Sequence, residues 1–347
     1  MTASDLLLVR GLKTHYFTDD GIVASVDGVD FHVPQGSTVC IVGESGSGKT
    51  VTARSILRLI SKPGRIISGE IVYRHENGET VDITKLGDRS AEMRKIRGRE
   101  IAMVFQEPMT ALSPIHTIGD QIDEVSCLHL RLNRKAARRR TVQWLDRVGI
   151  PKPEERANAY TFQLSGGMRQ RAMIAMALVC HPRLLIADEP TTALDVTMQA
   201  NILDLIKELQ RETGMSLLFI THNLGVVAEI ADEVVVMYLG RVVEQGLVRD
   251  VLGSPKHPYT RALLRSMPRM DRDVDRLEQI PGSVPHPLAR PAGCSFHPRC
   301  RERIDGVCDQ AEPAMTSVDG VWRVSCFLHQ LDSQGKIPVP ASDVAVE

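Results

Sequence analysis

Apolar and polar residues alternate along the first quarter of the chain, in runs such as "LLLVRGL" (6–12) and "GEIVYRH" (69–75) split by Gly/Asp turns. A period of two over such short stretches predicts strands across residues 5–85. The period lengthens between 115 and 180, where Val142, Leu145 and Val148 share one helical face. From 182 to 245, unbroken apolar runs such as Leu184–Ala187 alternate with helical stretches, the pattern of a parallel sheet with crossovers. No internal repeat of about 20–50 residues is evident. The pattern predicts an α/β fold with an antiparallel β part, a parallel core and a helical insertion.

"VCIVGESGSGKTVTARSIL" (39–57) places chemistry on that frame. The β-prone run Val39–Val42 leads into Gly43-Glu44-Ser45-Gly46-Ser47-Gly48-Lys49-Thr50, a match to G-x-x-x-x-G-K-[ST], and a helix-forming stretch follows. Glycines let backbone N–H groups curl around phosphate oxygens, and the helix N-terminus adds its positive end. Lys49 can reach the β- and γ-phosphates of ATP, while the Thr50 hydroxyl can ligate Mg²⁺. "PRLLIADEP" (182–190) supplies the acids, at the end of a buried-strand run where such sheets bind ligands. Asp188 is expected to hold Mg²⁺ through water, and Glu189 to act as general base on the attacking water.

"YTFQLSGGMRQRAMIAMAL" (160–178) carries Ser165, Gly166 and Gly167 directly before a helical pattern, which makes a second phosphate cradle. One chain hardly needs two cradles for one phosphate. A head-to-tail dimer, with each ATP clamped between one subunit's Gly43–Thr50 loop and the other's Ser-Gly-Gly helix, accounts for both.

With these motifs the chain resembles the ATP-binding cassette (ABC) family, and the family's other motifs follow in order. "VFQEP" (104–108) resembles the Q-loop, which implies that Gln106 senses Mg²⁺ and the γ-phosphate at the edge of a helical subdomain. "TTALD" (191–195) resembles the D-loop, ending in Asp195. "LLFITHN" (217–223) resembles the strand and switch histidine, which implies His222 near the γ-phosphate. "LKTHYF" (12–17) sits where the family puts an aromatic that stacks on adenine: Tyr16, with Phe17 as the alternative one position on. Met168 and Asn223 stand where the family commonly has glutamine and aspartate. Neither position supplies a group the mechanism depends on, so the resemblance implies hydrolysis and not ATP binding alone. It also implies a surface at about Gln106–Glu124 that receives a short helix from a membrane-embedded permease.

Composition narrows the setting. The chain has 347 residues, 43% apolar and 24% charged, with a formal net charge of −1. That leaves room for about two domains and no global field that draws the chain to nucleic acid or anionic lipid. The basic run "RLNRKAARRR" (131–140) reads as a solvated helix face. No apolar run approaches the ~18–20 residues of a membrane span. "MTASDLLLVR" shows no secretory signal, so a cytosolic setting with reduced thiols is expected.

That setting bears on the tail, which collects Cys294, Cys300, Cys308 and Cys326, four of the seven cysteines. Their C-x₅-C-x₇-C-x₁₇-C spacing lacks the paired knuckles of structural zinc sites. A [4Fe–4S] cluster, zinc and plain thiols all stay open on spacing alone, with His297 and His329 as nearby alternative ligands. "SPKHPYTRALLRSMP" (254–268) resembles the segment after the cassette in ATPase subunits of di- and oligopeptide importers, the peptide/nickel subfamily. Some of that subfamily carry a [4Fe–4S] cluster, so the resemblance implies these four cysteines as its ligands.

The expected organisation is an ABC ATPase domain over 1–253, with its helical subdomain at about 107–178. A small, irregular four-cysteine region over 254–347 would follow as an appendage separate from the ATP chemistry. The implied function is an ATP-hydrolysing subunit on the cytoplasmic face of the cell membrane. Its dimer closure would power uptake of di- or oligopeptides, or a related solute, through two separate permease subunits. A second ATPase subunit, paralogous or identical, and indirectly a substrate-binding protein complete the expected partners. The alternative, a soluble ABC ATPase acting on nucleic acid or ribosomes, fits less well. Only 139 positions separate Lys49 from Asp188 with no sustained heptad between them, one cassette is present, and the charge is near neutral. A cluster-assembly scaffold would leave the permease surface and the importer tail unexplained.

Overall fold

The two hydrophobic periods build two sheets. The structure, a computed structural model, describes residues 1–2, 4–107, 111–190, 196–266 and 279–330. The alternating runs form an antiparallel sheet ordered β2-β1-β4-β5, from β1 (Asp5–Thr18), β2 (Gly21–Pro34), β4 (Gly64–Arg74) and β5 (Thr80–Asp82). Its core face is set by cross-strand neighbours: Leu7 pairs with Val33 and Tyr73, and Val9 with Phe31 and Ile71. All six are buried.

The unbroken runs form β3 (Thr38–Val42), β6 (Ile101–Val104), β7 (Leu184–Asp188), β8 (Ser216–Thr221) and β9 (Glu233–Tyr238). They pair in parallel in the order β9-β3-β8-β7-β6. Parallel strands are covered on both faces and have no wet side to alternate with, hence the continuous apolar reading. The carboxyl ends of β3, β8, β7 and β6 therefore lie side by side. Each leads into one of the chemical motifs: Gly43–Thr50, His222, Glu189 and Gln106.

Helices Ile118–Leu130, Arg134–Arg147, Pro153–Ala157 and Gly166–Leu178 fill the expected helical stretch. Thr117 and Asn133 cap the first two, accepting from the backbone N–H of Asp120 and Ala136; such a cap contributes about 1 kcal/mol. The buried face of Arg134–Arg147 carries Ala137, Thr141, Trp144 and Leu145, while Val142 is only partly covered. The basic run is less solvated than expected. Arg138 bridges to Asp120 (2.8 Å) and Asp123 (2.7 Å) on the preceding helix, and Arg140 donates to the Val179 carbonyl at 2.7 Å.

The tail departs further from expectation, because it is not an appendage. β10 (Arg241–Leu247) runs antiparallel to β9, and the main sheet continues through two tail strands, β12 (Trp322–Val324) and β11 (Thr316–Asp319). Glu244 on β10 is fully buried and accepts from the backbone N–H groups of Lys256 (2.8 Å) and His257 (3.0 Å) and from Trp322 Nε1 (3.0 Å). One carboxylate thus ties three segments, and a buried charge satisfied in this way is not left uncompensated.

Asp27 on β2 makes a second tie, to Lys13 (3.1 Å), Arg241 (2.7 Å) and the tail's Arg290 (2.8 Å). Burial works to raise its pKa, but hydrogen bonds from Arg241 and Lys13 and the charges of Arg241 and Arg290 outweigh it and hold the carboxyl at about 2. A folded-state pKa below the ordinary 3.8 stabilises the fold above that pH, and the contribution is lost as pH falls toward about 2. Asp27→Asn should therefore flatten the acid-unfolding curve in that window when followed by circular dichroism. A curve identical to the parent's would show that the pairing adds nothing.

Candidate active site

β3 ends at Val42, and the loop after it turns back under the sheet edge. Gly43 has φ +154°, and a Cβ there would sit 2.2 Å from the Met237 carbonyl oxygen. Gly48 has φ +96°, and a Cβ would meet the Ser25 carbonyl at 2.3 Å. No L side chain fits either place, so these two motif glycines are needed for close approach as well as for curvature. Lys49 opens the helix Lys49–Ile56 and is 6% exposed. Its Nζ donates to the Gly43 carbonyl at 2.7 Å and the Glu44 carbonyl at 3.0 Å. Burial lowers its pKa, and Glu189, Asp188 and Glu44 work against that shift.

Thr50 Oγ1 donates to Asp188 Oδ1 at 3.1 Å, joining the loop to the end of β7. Asp188 is 1% exposed; burial raises its pKa, with the Thr50 hydrogen bond opposing and the Glu189 charge adding. Glu189 has φ +46°, uncommon for a residue with a side chain and costing about 1–3 kcal/mol. Its N–H donates to the Ile220 carbonyl at 2.9 Å, so the neighbouring strand holds the strained turn. Gln106 Nε2 donates to Glu189 Oε2 at 3.1 Å, and His222 Nδ1 lies 3.2 Å from Oε1. The arrangement sets one buried cation, two carboxylates, an amide, a hydroxyl and an imidazole around one crevice. A hydroxyl, a carboxylate and an amide oxygen are the hard donors that Mg²⁺ prefers.

Lys49, Thr50, Gln106, Asp188, Glu189 and His222 are thus brought together. Ser165 and Gly166 stay exposed at the start of Gly166–Leu178, where Ser165 Oγ accepts from the Met168 N–H at 3.4 Å. Asn223 caps the helix Leu224–Ile230, accepting from the N–H groups of Gly225 (2.9 Å) and Val226 (3.4 Å), which a neutral amide does as well as a carboxylate. Tyr16 packs on Gly64, where a Cβ would come 2.6 Å from its ring, and Arg65 lies over the Phe17 ring at 4.1 Å. Asp195 lies outside the described residues.

Three contacts at this site had no signal in local spacing. Tyr259 Oη accepts from the Glu44 N–H at 2.8 Å, across 215 positions. Arg299 grips the Glu44 carboxylate from 255 positions away. Gln170 Nε2 donates to the Pro190 carbonyl, behind the two acids.

The structure does not support the metal centre expected on the tail cysteines. Among the described residues, no group of three or more His, Cys, Asp or Glu side chains could hold a metal ion, so neither zinc nor a cluster has a preformed site. The cysteines are free thiols. Burial, then the neighbouring sulfurs, pushes Cys294 up to about 11 and Cys326 to about 12, and raises Cys300 in the same sense.

Comparison with known proteins gives a consistent likeness. A family model described as ABC transporter matches residues 26–192, and one described as the C-terminal region of oligopeptide/dipeptide transporters matches 243–308. The oligopeptide transport ATP-binding protein AppD of Bacillus subtilis is 48% identical over 328 residues, covering 94% of this chain and 98% of that one. The dipeptide transport ATP-binding protein DppD of Escherichia coli is 44% identical over 331 residues, covering 95% and 98%. Among solved structures, the ATP-binding cassette MJ0796, dimeric in a post-hydrolysis state with ADP and Pi, superposes with a TM-score of 0.62. It is 27% identical and covers 70% of this chain and 99% of that one.

Proposed function

The chain belongs to the ABC transporter family, in its oligopeptide/dipeptide branch, and from that premise we propose how its residues divide the work of an importer ATPase. It is the ATP-hydrolysing subunit of a peptide importer. The observation that carries the division of roles is the convergence of Lys49, Thr50, Gln106, Asp188, Glu189 and His222 at one sheet edge. Gly43, Ser45, Gly46, Ser47 and Gly48 offer backbone donors to the phosphates, and Lys49 neutralises them. Thr50, Gln106 and Asp188 would hold Mg²⁺, which when bound draws charge from the phosphate oxygens. Glu189, kept between Gln106 and His222, takes the proton of the attacking water, and His222 orients that carboxylate. Tyr16 stacks on adenine, since the Phe17 ring is already covered by Arg65.

Ser165 and Gly166, both exposed, with Gly167 and Asp195, serve the ATP of a second ATPase subunit, paralogous or identical. ATP then closes the dimer because the closed form binds it better. The ATPase domain spans about residues 1–253, with its helical subdomain at about 107–178, and the region from 254 adds two strands to its sheet. Among the described residues, no helix is long and apolar enough to cross a membrane, which suits a peripheral subunit working from the cytoplasmic face with two permease subunits and, through them, a substrate-binding protein. An open groove of about 990 Å³ lined by Ser113, His116, Gln121 and Glu124 is the permease seat. Ile115, 77% exposed, lies between two of those residues.

A [4Fe–4S] cluster on Cys294, Cys300, Cys308 and Cys326 is part of the same proposal. Cys294, Cys300 and Cys326 are each raised in part by the charge of neighbouring sulfurs of the set. Each sulfur also has a backbone N–H partner: Phe296 for Cys294, Glu302 for Cys300, Ile304 for Cys308 and Leu328 for Cys326. Such hydrogen bonds stabilise thiolate ligands once the thiols are deprotonated. Bound there, the cluster would cross-link the tail.

Co-expression with peptide-importer permeases and anaerobic purification tests the whole reading. The chain should travel with the membrane, Ile115→Asp should release it with ATP binding retained, and iron and sulfide should be found in equal amounts. A chain that stays in the supernatant and is stimulated by nucleic acid or ribosomes would favour the alternative. Absence of iron and sulfide would remove the cluster alone.

A further inference from the structure

Glu44, the second residue of the phosphate loop, is held at all three of its polar groups. Its carbonyl accepts from Lys49 Nζ at 3.0 Å, and its N–H donates to Tyr259 Oη at 2.8 Å. Its carboxylate is forked by Arg299, with Nη1 to Oε2 at 2.7 Å and Nη2 to Oε1 at 3.1 Å. A two-point guanidinium–carboxylate pair fixes orientation as well as position. The Arg299 side chain is only 4% exposed, so solvent screens this pair little. It is anchored in turn: Nε donates to the Pro281 carbonyl at 3.0 Å, and Nη1 to Tyr238 Oη at 3.3 Å. Behind it, the Tyr238, Tyr259 and Phe296 rings pack with centroids 4.7 to 5.3 Å apart. Two of these rings, and Arg299 itself, belong to the chain beyond residue 253.

We propose that Arg299 is a positioning residue for nucleotide binding: from the tail it fixes Glu44, and through Glu44 it keeps the phosphate loop and Lys49 in their binding arrangement. The inference rests on the ATP-site reading above. A loop already held in its bound shape loses less freedom when the ligand arrives, so the effect falls on affinity and not on the chemical step. Arg299 reaches the site through Glu44, whose carbonyl in turn accepts from Lys49.

The test uses the full chain with a fluorescent ATP analogue for Kd and with ATP for kcat and KM. Arg299→Ala and Glu44→Gln should each raise Kd and KM about tenfold, the scale of one charge-assisted hydrogen bond, with kcat at saturation near the parent value. The double variant should be no worse than either single one, because both break the same pair. Arg299→Lys, which keeps the charge but loses the fork, should fall between. Parent Kd and KM with only a lowered melting temperature would overturn the proposal, and so would additive effects. If Arg299→Ala does not fold, Glu44→Gln and Arg299→Lys decide by the same readouts. ATP binding by Lys49→Ala at parent affinity would instead overturn the ATP-site reading itself.

Discussion

Glu189→Gln is expected to leave ATP binding intact while turnover drops by about 10²–10³, the scale for losing one well-placed catalytic group. Glutamine matches the shape of the side chain and can still face both Gln106 and His222, which lie 3.1 and 3.2 Å from the carboxylate. It cannot take a proton. ATP should then hold the dimer closed, because the step that opens it is blocked. Gel filtration with ATP should show a stable dimer for the variant and a transient one for the parent. Hydrolysis at the parent rate would mean that another group is the base, and the strained φ of +46° at Glu189 would need another explanation.

Lys49→Ala should abolish measurable hydrolysis and weaken ATP binding by about 10² or more, as expected for losing charge-assisted hydrogen bonds in a buried site. Two effects add. The Gly43 and Glu44 carbonyls lose their donor, and Glu44, Asp188 and Glu189 are left without the cation that now works on all three. The site would then repel the phosphates that it otherwise attracts. Equilibrium binding of labelled ATP, with a melting curve to show that the variant is folded, checks this. Unchanged affinity would remove the phosphate-loop assignment.

Both effects concern residues that local spacing identifies. The run from Gly43 to Thr50 is legible because its chemistry is local: curvature, a helix N-terminus, a lysine and a hydroxyl within eight positions. Asp188, Glu189 and His222 are legible as polar residues ending buried runs. The strand order that joins them is not. β8 separates β3 from β7, although it follows both in the chain, and only that order sets His222 beside Glu189. Arg138 shows the reverse failure. It reads as one more solvated charge in a basic run, yet it bridges two helices, because its acidic partners lie 15 and 18 positions away.

The tail marks the limit most clearly. Its composition, poor in apolar residues and rich in proline, reads as an appendage, and its four cysteines attract attention to themselves. The tertiary structure instead adds β12 and β11 to the core sheet, hydrogen-bonds the half-buried Trp322 to Glu244, and brings Arg299 to the phosphate loop. The amino-acid sequence by itself determined the fold class, the nucleotide chemistry and the family resemblance, because periodicity, turn chemistry and motif spacing act over a few residues. Which strands are neighbours, and which distant side chain closes on Glu44, was decided only in the folded molecule. Such contacts span more than 200 positions, and no local pattern encodes the packing that makes them.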